Sequence, residues 1–294
     1  MLVNINEILN DARKNKYAVP AFDASDYRMI KTIVEASEEL NAPVIIMGLP
    51  SDLSDDQFDH LSNDLISIAT NAKVPVCIHL DHATDFEIIK KAIKQGYTSV
   101  MIDGSSLPLN ENIAITKQVV DYAHQYNVSV EAELGHVGDG IVGSSESSAK
   151  GNSGHDNVYT DPKEMAYFIE QTNVDCLAVS FGTSHGVYKT TPNLQIDLLK
   201  QLNEVSTIPL VVHGGSGTPD DQMQEAIENG ICKVNIFSEI LEAFFCEMKK
   251  QLNELDNMSL WPSAAYKRPL EAMKEKVKEK IYLCKANNRV NIWN

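Results

Sequence analysis

Residues 74–105 read VPVCIHLDHATDFEIIKKAIKQGYTSVMIDGS, and the reading of this stretch decides the fold. Its first run is apolar without alternation, as in a strand buried on both faces, and it stops on the polar group HLDH. Asp85 stands where a helix cap belongs. Phe86, Ile89, Ala92 and Ile93 then recur at three- and four-residue spacing, and Gly96 supplies a common helix stop. TSVMIDGS is a second buried run. Strand, helix, strand in this order is one parallel crossover unit.

The unit repeats along the chain. VPVCIHLDH (74–82) and TSVMIDGS (98–105) are joined by YAVPAFDAS (17–25), APVIIMG (42–48), VSVEAELG (128–135), VDCLAVSFG (174–182), IPLVVHGG (208–215) and CKVNIFS (232–238). DYRMIKTIVEASEEL, NENIAITKQVVDYAHQYN and DDQMQEAIENG carry the helical spacing between them. Eight such units predict an α/β fold, a (β/α)8 TIM barrel. An open doubly wound sheet would normally show a glycine-rich phosphate loop after its first strand, and AFDASDYRM is not one. SEILEAFFCEMKKQLNEL and RPLEAMKEKVKEKIYLC predict extra C-terminal helices that close the barrel or meet another subunit. No linker divides the chain, so one barrel domain is expected over 1–294. The Gly/Ser-rich segment 136–157 leaves the C-terminal face after the fifth strand and predicts a mobile active-site loop.

The 294 residues are 43% hydrophobic and 22% charged, with a formal net charge of -16. So acidic a chain is a poor nucleic-acid binder through its general field, though backbone N–H groups or a metal can still hold an anion locally. The five cysteines form no CxxC pair, which fits buried thiols in a reducing compartment. MLVNINEILNDARK lacks the pattern of a signal peptide, and no apolar run approaches the roughly 20 residues of a membrane span. A cytoplasmic location is the default expectation.

Catalytic groups in such barrels gather at the C-terminal strand ends. Three of those ends offer a histidine: His82, His185 and His213. Three imidazoles with an open position make a catalytic zinc site. His60, His124 and His155 lie away from strand ends. Asp81, beside His82, can donate or accept a proton, or orient a metal-bound imidazole. Glu133 reads as a supporting acid or an alternative metal ligand. Glu131 shares its face and is equally well structural, and His79 is a packed or supporting group deeper in the barrel. GGSG after the seventh strand and NIFS after the eighth occupy the usual phosphate position, where Ser216 and Ser238 add hydroxyl donors.

Taken with VSVEAELG, LAVSFGTSHGVYK, PLVVHGGSG and KVNIFSE, the stretch quoted first resembles the class II, zinc-dependent ketose-bisphosphate aldolases, which include the fructose- and tagatose-1,6-bisphosphate enzymes. The resemblance covers essentially the whole chain. It implies Zn2+ held by His82, His185 and His213, with Glu133 able to contact a shifted metal. It implies Asp81 as the proton donor and acceptor at the hydroxyl formed or cleaved. Dihydroxyacetone phosphate would bind through Gly186, Gly214, Ser216 and Ser238, with Asn235 beside its enediolate. A monovalent cation (Na+ or K+) near the phosphate, a phosphosugar substrate and a homodimer or homotetramer are also implied.

Departures from the family pattern concern the other half of the substrate. The first strand ends Phe22-Asp23 where the family has Phe-Asn. The loop glutamate that works on the C3 proton has no clear counterpart, Glu146 being the one glutamate in the loop. Where the family has an arginine that holds a second phosphate, this chain has only the displaced Lys267 and Arg268. MGLPSDL lies nearer the tagatose type. The aldehyde half is therefore expected to be altered. Two other readings are a non-catalytic phosphosugar-binding barrel and a metal-dependent barrel hydrolase, although the latter usually has HxH on its first strand and an acid on its last.

Overall fold

The computed structural model describes residues 1–50, 57–139, 158–186, 188, 191–256 and 258–290. In chain order the elements begin with α1 (Ile5–Asn15), β1 (Val19–Asp23), α2 (Tyr27–Glu39), β2 (Val44–Gly48) and α3 (Gln57–Asn71). They continue with β3 (Val76–Ala83), α4 (Phe86–Gln95), β4 (Ser99–Ile102), α5 (Leu109–Ala123) and β5 (Ser129–Leu134). After these come β6 (Gly138–Asp139), α6 (Pro162–Thr172), β7 (Cys176–Val179), β8 (Ser184–His185) and α7 (Ile196–Val205). The last are β9 (Leu210–Val212), α8 (Asp220–Glu228), β10 (Ile231–Ile236), α9 (Ser238–Asn253) and α10 (Pro262–Leu283).

Eight strands close a barrel in the order β1-β10-β9-β7-β5-β4-β3-β2, every neighbouring pair parallel. The expected (β/α)8 barrel is therefore present. The short strands β6 and β8 pair with each other outside it. Several apolar runs overshoot their strands. The run 208–215 keeps ladder geometry only over Leu210–Val212. Beyond it the chain turns, with Gly214 at φ +66°. Asp26 and Asp85 cap α2 and α4 by accepting backbone N–H groups, and Gly96 ends α4 in the left-handed conformation.

Helix α1 was not among the expected elements. Its start is a capping box: Asn4 Oδ1 accepts the Glu7 N–H at 3.1 Å, and Glu7 Oε1 accepts the Asn4 N–H at 3.0 Å. Ile5, Ile8, Leu9 and Ala12 form its buried stripe, against β1 and β10. At the other end of the chain, α10 starts earlier than the apolar spacing suggests, so Pro269 falls inside it. Proline has no N–H to give the carbonyl four residues back. Gln251 on α9 supplies the donor instead, its Nε2 lying 2.8 Å from Ala265 O. Helix α10 packs against α9 and α2. Of the expected loop 136–157, positions 140–157, with Glu146 and His155, lie outside the described residues.

Candidate active site and metal centre

Alternation along parallel strands stacks two polar layers inside the barrel. His79 on β3, Glu131 on β5 and Lys233 on β10 form the deeper layer. Asp81, Glu133 and Asn235, each two residues further along the same strands, form the upper one. All six are buried. In the deeper layer Lys233 Nζ lies 2.9 Å from Glu131 Oε2, and His79 Nδ1 lies 2.8 Å from Ser99 Oγ. In the upper layer Asn235 Nδ2 donates to Asp81 Oδ2 at 3.1 Å.

His82 breaks the alternation. As the neighbour of Asp81 it should face outward, yet both reach the mouth. The register of β3 against β4 slips between Leu80 and Ala83, and His82 takes φ +46°. A bulge with one left-handed residue turns two consecutive side chains to the same side. His82 Nδ1 then lies 3.1 Å from Asp103 Oδ2.

The three expected imidazoles meet. Ring centroids are 4.7 Å apart for His82–His213, 4.9 Å for His82–His185 and 5.7 Å for His185–His213. Their nitrogens form a group able to hold one metal ion; a second such group, His82, Asp103 and Glu133, shares His82, and a third is His79, Asp81 and Glu131. His213 Nε2 lies 2.9 Å from Glu131 Oε1. Its Nδ1 is 3.1 Å from Glu133 Oε2 but without hydrogen-bond geometry. His185 Nε2, His213 Nδ1 and Glu133 Oε2 are all buried without a hydrogen-bond partner. Buried polar atoms are rarely left so, and a divalent cation among nitrogen and carboxylate donors would satisfy them. The donor set therefore fits a zinc-like ion.

Charge reinforces the geometry. Burial opposes a charged His82 imidazole, but Asp81, Asp103 and Glu133 outweigh it and raise its pKa well above the usual value. His185 goes the other way, lowered by burial and by its imidazole neighbours His82 and His213. Burial would raise Asp81, yet His82, the hydrogen bond from His79, Lys233 and His213 hold it well below the usual carboxylate range. Burial would likewise raise Glu131, but Lys233 and His213 bring it down to about 2. The mouth thus presents carboxylates and imidazoles suited to a cation, beside an acid kept ionised.

The expected phosphate residues lie on adjoining turns. Ser216 Oγ accepts the Phe237 N–H at 3.0 Å, which leaves its own proton to donate. The Gly215 N–H donates to Asn235 O at 3.0 Å. Ser238 Oγ is buried without a hydrogen-bond partner. Gly186 is left-handed at φ +74°. A Cβ on Gly214 would lie 2.2 Å from Ser184 O, so two backbones touch where a side chain cannot fit. Of the displaced pair Lys267 and Arg268, the arginine already has carboxylate partners. Arg268 is ion-paired with Glu247 of α9 at 2.6 Å and with Glu254, just beyond that helix, at 2.5 Å.

Sequence reasoning missed Asp103 and Lys233. Asp103 follows β4 directly in the quoted IDGS, the same kind of position as the histidines. Lys233 was visible as a lone charge in an apolar strand, two residues before Asn235 and hence on its face.

A closed parallel barrel whose C-terminal mouth gathers three imidazoles, an acid held ionised and glycine turns has the make-up of an enzyme site able to hold a metal ion. The sequence model of the family described as Fructose-bisphosphate aldolase class-II matches residues 3–289. The chain belongs to that family and is an aldolase, a carbon–carbon lyase, which sets aside the hydrolase reading. Among solved structures, it is similar to the YdjI aldolase from Escherichia coli K12 at 33% identity, covering 99% of this chain and 100% of that one with a TM-score of 0.86. A putative fructose-1,6-biphosphate aldolase from Coccidioides immitis is 27% identical, covers 98% of both chains and gives a TM-score of 0.87. The fructose-bisphosphate aldolase of Campylobacter jejuni shares the fold at 22% identity, with 98% and 97% covered and a TM-score of 0.79. Among the described residues no helix is long and apolar enough to cross a membrane.

Proposed function

We propose that the chain is a zinc-dependent aldolase that reversibly cleaves a ketose phosphate into dihydroxyacetone phosphate and an aldehyde, sharing the dihydroxyacetone phosphate half of the tagatose- and fructose-1,6-bisphosphate enzymes but with an altered aldehyde half. The observation that carries this is the meeting of His82, His185 and His213, with unpartnered buried nitrogens, beside Asp81. When bound, zinc supplies Lewis acidity at the substrate carbonyl oxygen. Asp81 takes the proton from the hydroxyl at the breaking bond and returns it in the reverse direction. Asn235 holds Asp81 and stands beside the three-carbon fragment. Gly186, Gly214, Ser216 and Ser238 hold its phosphate through backbone N–H and hydroxyl groups. Glu133 is the reserve ligand for a displaced metal. The reading includes a monovalent cation (Na+ or K+) near the phosphate, a homodimer or homotetramer, and a cytoplasmic location.

The aldehyde differs from glyceraldehyde 3-phosphate and carries no second phosphate. Support comes from Arg268, whose guanidinium is committed to Glu247 and Glu254. A screen of aldehydes with dihydroxyacetone phosphate and the zinc-loaded protein tests this, and ordinary turnover of fructose or tagatose bisphosphate would refute it. Chelation should abolish turnover, while borohydride with substrate should trap no Schiff base. Asp81→Ala should lose turnover yet retain zinc by metal analysis. Loss of zinc would instead make Asp81 a structural residue.

A further inference from the structure

We propose that Tyr188 is a positioning residue whose phenol fixes the spacing between the His185–Gly186 turn and the loop from Gly214 to Thr218, and so preforms the phosphate cradle. The inference rests on the phosphate-binding reading of that cradle.

A phenol has one proton to donate and can also accept hydrogen bonds. Here the oxygen has partners on both segments. Tyr188 donates to Gly214 O at 2.8 Å, and the Ser184 N–H donates to Tyr188 Oη at 3.0 Å. Thr218 Oγ1 lies 3.1 Å from the phenol oxygen and 3.2 Å from Gly214 O. Ser184 precedes His185, and Gly214 follows His213. One oxygen therefore ties together the backbone beside two of the three converging imidazoles. The ring adds a second constraint, since a Cβ on Gly217 would lie 3.0 Å from Tyr188 Cδ2. A side chain there would crowd the ring, and at φ +76° it would also be strained, so glycine suits this position.

The metal group has independent supports. Glu131 holds His213, Asp103 holds His82, and Ser184 and His185 pair with Gly138 and Asp139. At the loop, the Gly214 carbonyl accepts from Tyr188 and Thr218 among the described residues. Loss of the phenol oxygen should then loosen the cradle more than the metal group.

The test titrates inorganic phosphate into the zinc-loaded protein and its Tyr188→Phe, Thr218→Val and Ser216→Ala variants, and separately titrates zinc into each metal-free protein. Tyr188→Phe keeps the ring against Gly217 and removes only the oxygen. It should weaken phosphate binding about tenfold, Thr218→Val should weaken it less, and zinc affinity should stay within about threefold in both. Unchanged phosphate binding in Tyr188→Phe overturns the proposal, because the residue would then only fill space. Equal loss of zinc and phosphate also overturns it, because the phenol would then support the whole mouth. If Ser216→Ala binds phosphate as the wild type does, the anion is not in the cradle, and the underlying reading is what fails.

Discussion

His82 holds φ at +46°, a region that costs a residue with a Cβ roughly 1–2 kcal/mol and glycine little. In the metal-free protein, His82→Gly should therefore be more stable than His82→Ala by about 1 kcal/mol in urea unfolding. Equal stabilities would show that the backbone there is unstrained. Lys233 offers a second test at this scale. It is fully buried against Glu131, 2.9 Å away, and removing one partner of a buried pair leaves an uncompensated charge. Lys233→Met should cost about 3–5 kcal/mol, with much of it regained when Glu131→Gln is added. Additive losses in the double variant would mean that the two residues act independently. The three histidines were legible because they recur at strand ends of one barrel. The bulge was not, since nothing in HLDH announces a left-handed residue. Asp103 was overlooked because a lone aspartate after a strand is also an ordinary turn residue.

Helix α10 shows how one element depends on another. Pro269 leaves the Ala265 carbonyl without its helical donor, and Gln251 from α9 replaces it at 2.8 Å. Gln251→Leu should destabilise by about 1–3 kcal/mol. Pro269→Ala restores a backbone N–H, so the two substitutions together should cost less than their sum in urea melts. A simple sum would mean that Gln251 acts elsewhere. This contact explains why the start of α10 was misread. The proline looked like a boundary, and the residue that makes it tolerable lies 18 positions earlier, on another helix. Helix α1 was overlooked for a different reason. Its capping box stands in the sequence as Asn-Ile-Asn-Glu, but a single helix ahead of the first strand fits no repeat. Apolar spacing did mark α2, α4, α5, α8 and α9, whereas of these five only α2 and α4 have side-chain caps; α5, α8 and α9 begin without one.

Across the whole molecule, the strand ends gather the chemistry at one mouth, while α1 packs against β1 and β10. Leu9 on α1 is fully buried, so Leu9→Ala should cost about 2–5 kcal/mol of stability. Zinc affinity and turnover at a permissive temperature should stay near wild type, and a matching loss of either would show that the helix is coupled to the mouth. The barrel itself was legible from its eight apolar runs. The aldehyde side was less so, because it draws on loops, and loops carry no periodicity. The bulge on β3 also bears on how such a site could be transplanted. Asp81 and His82 share one peptide unit, so any drift of that backbone carries the carboxylate and the imidazole together. A designer who copied the two residues onto a regular strand would send one of them to the outer wall. What must be grafted is the kink, and specificity can diverge only at loops that leave it untouched.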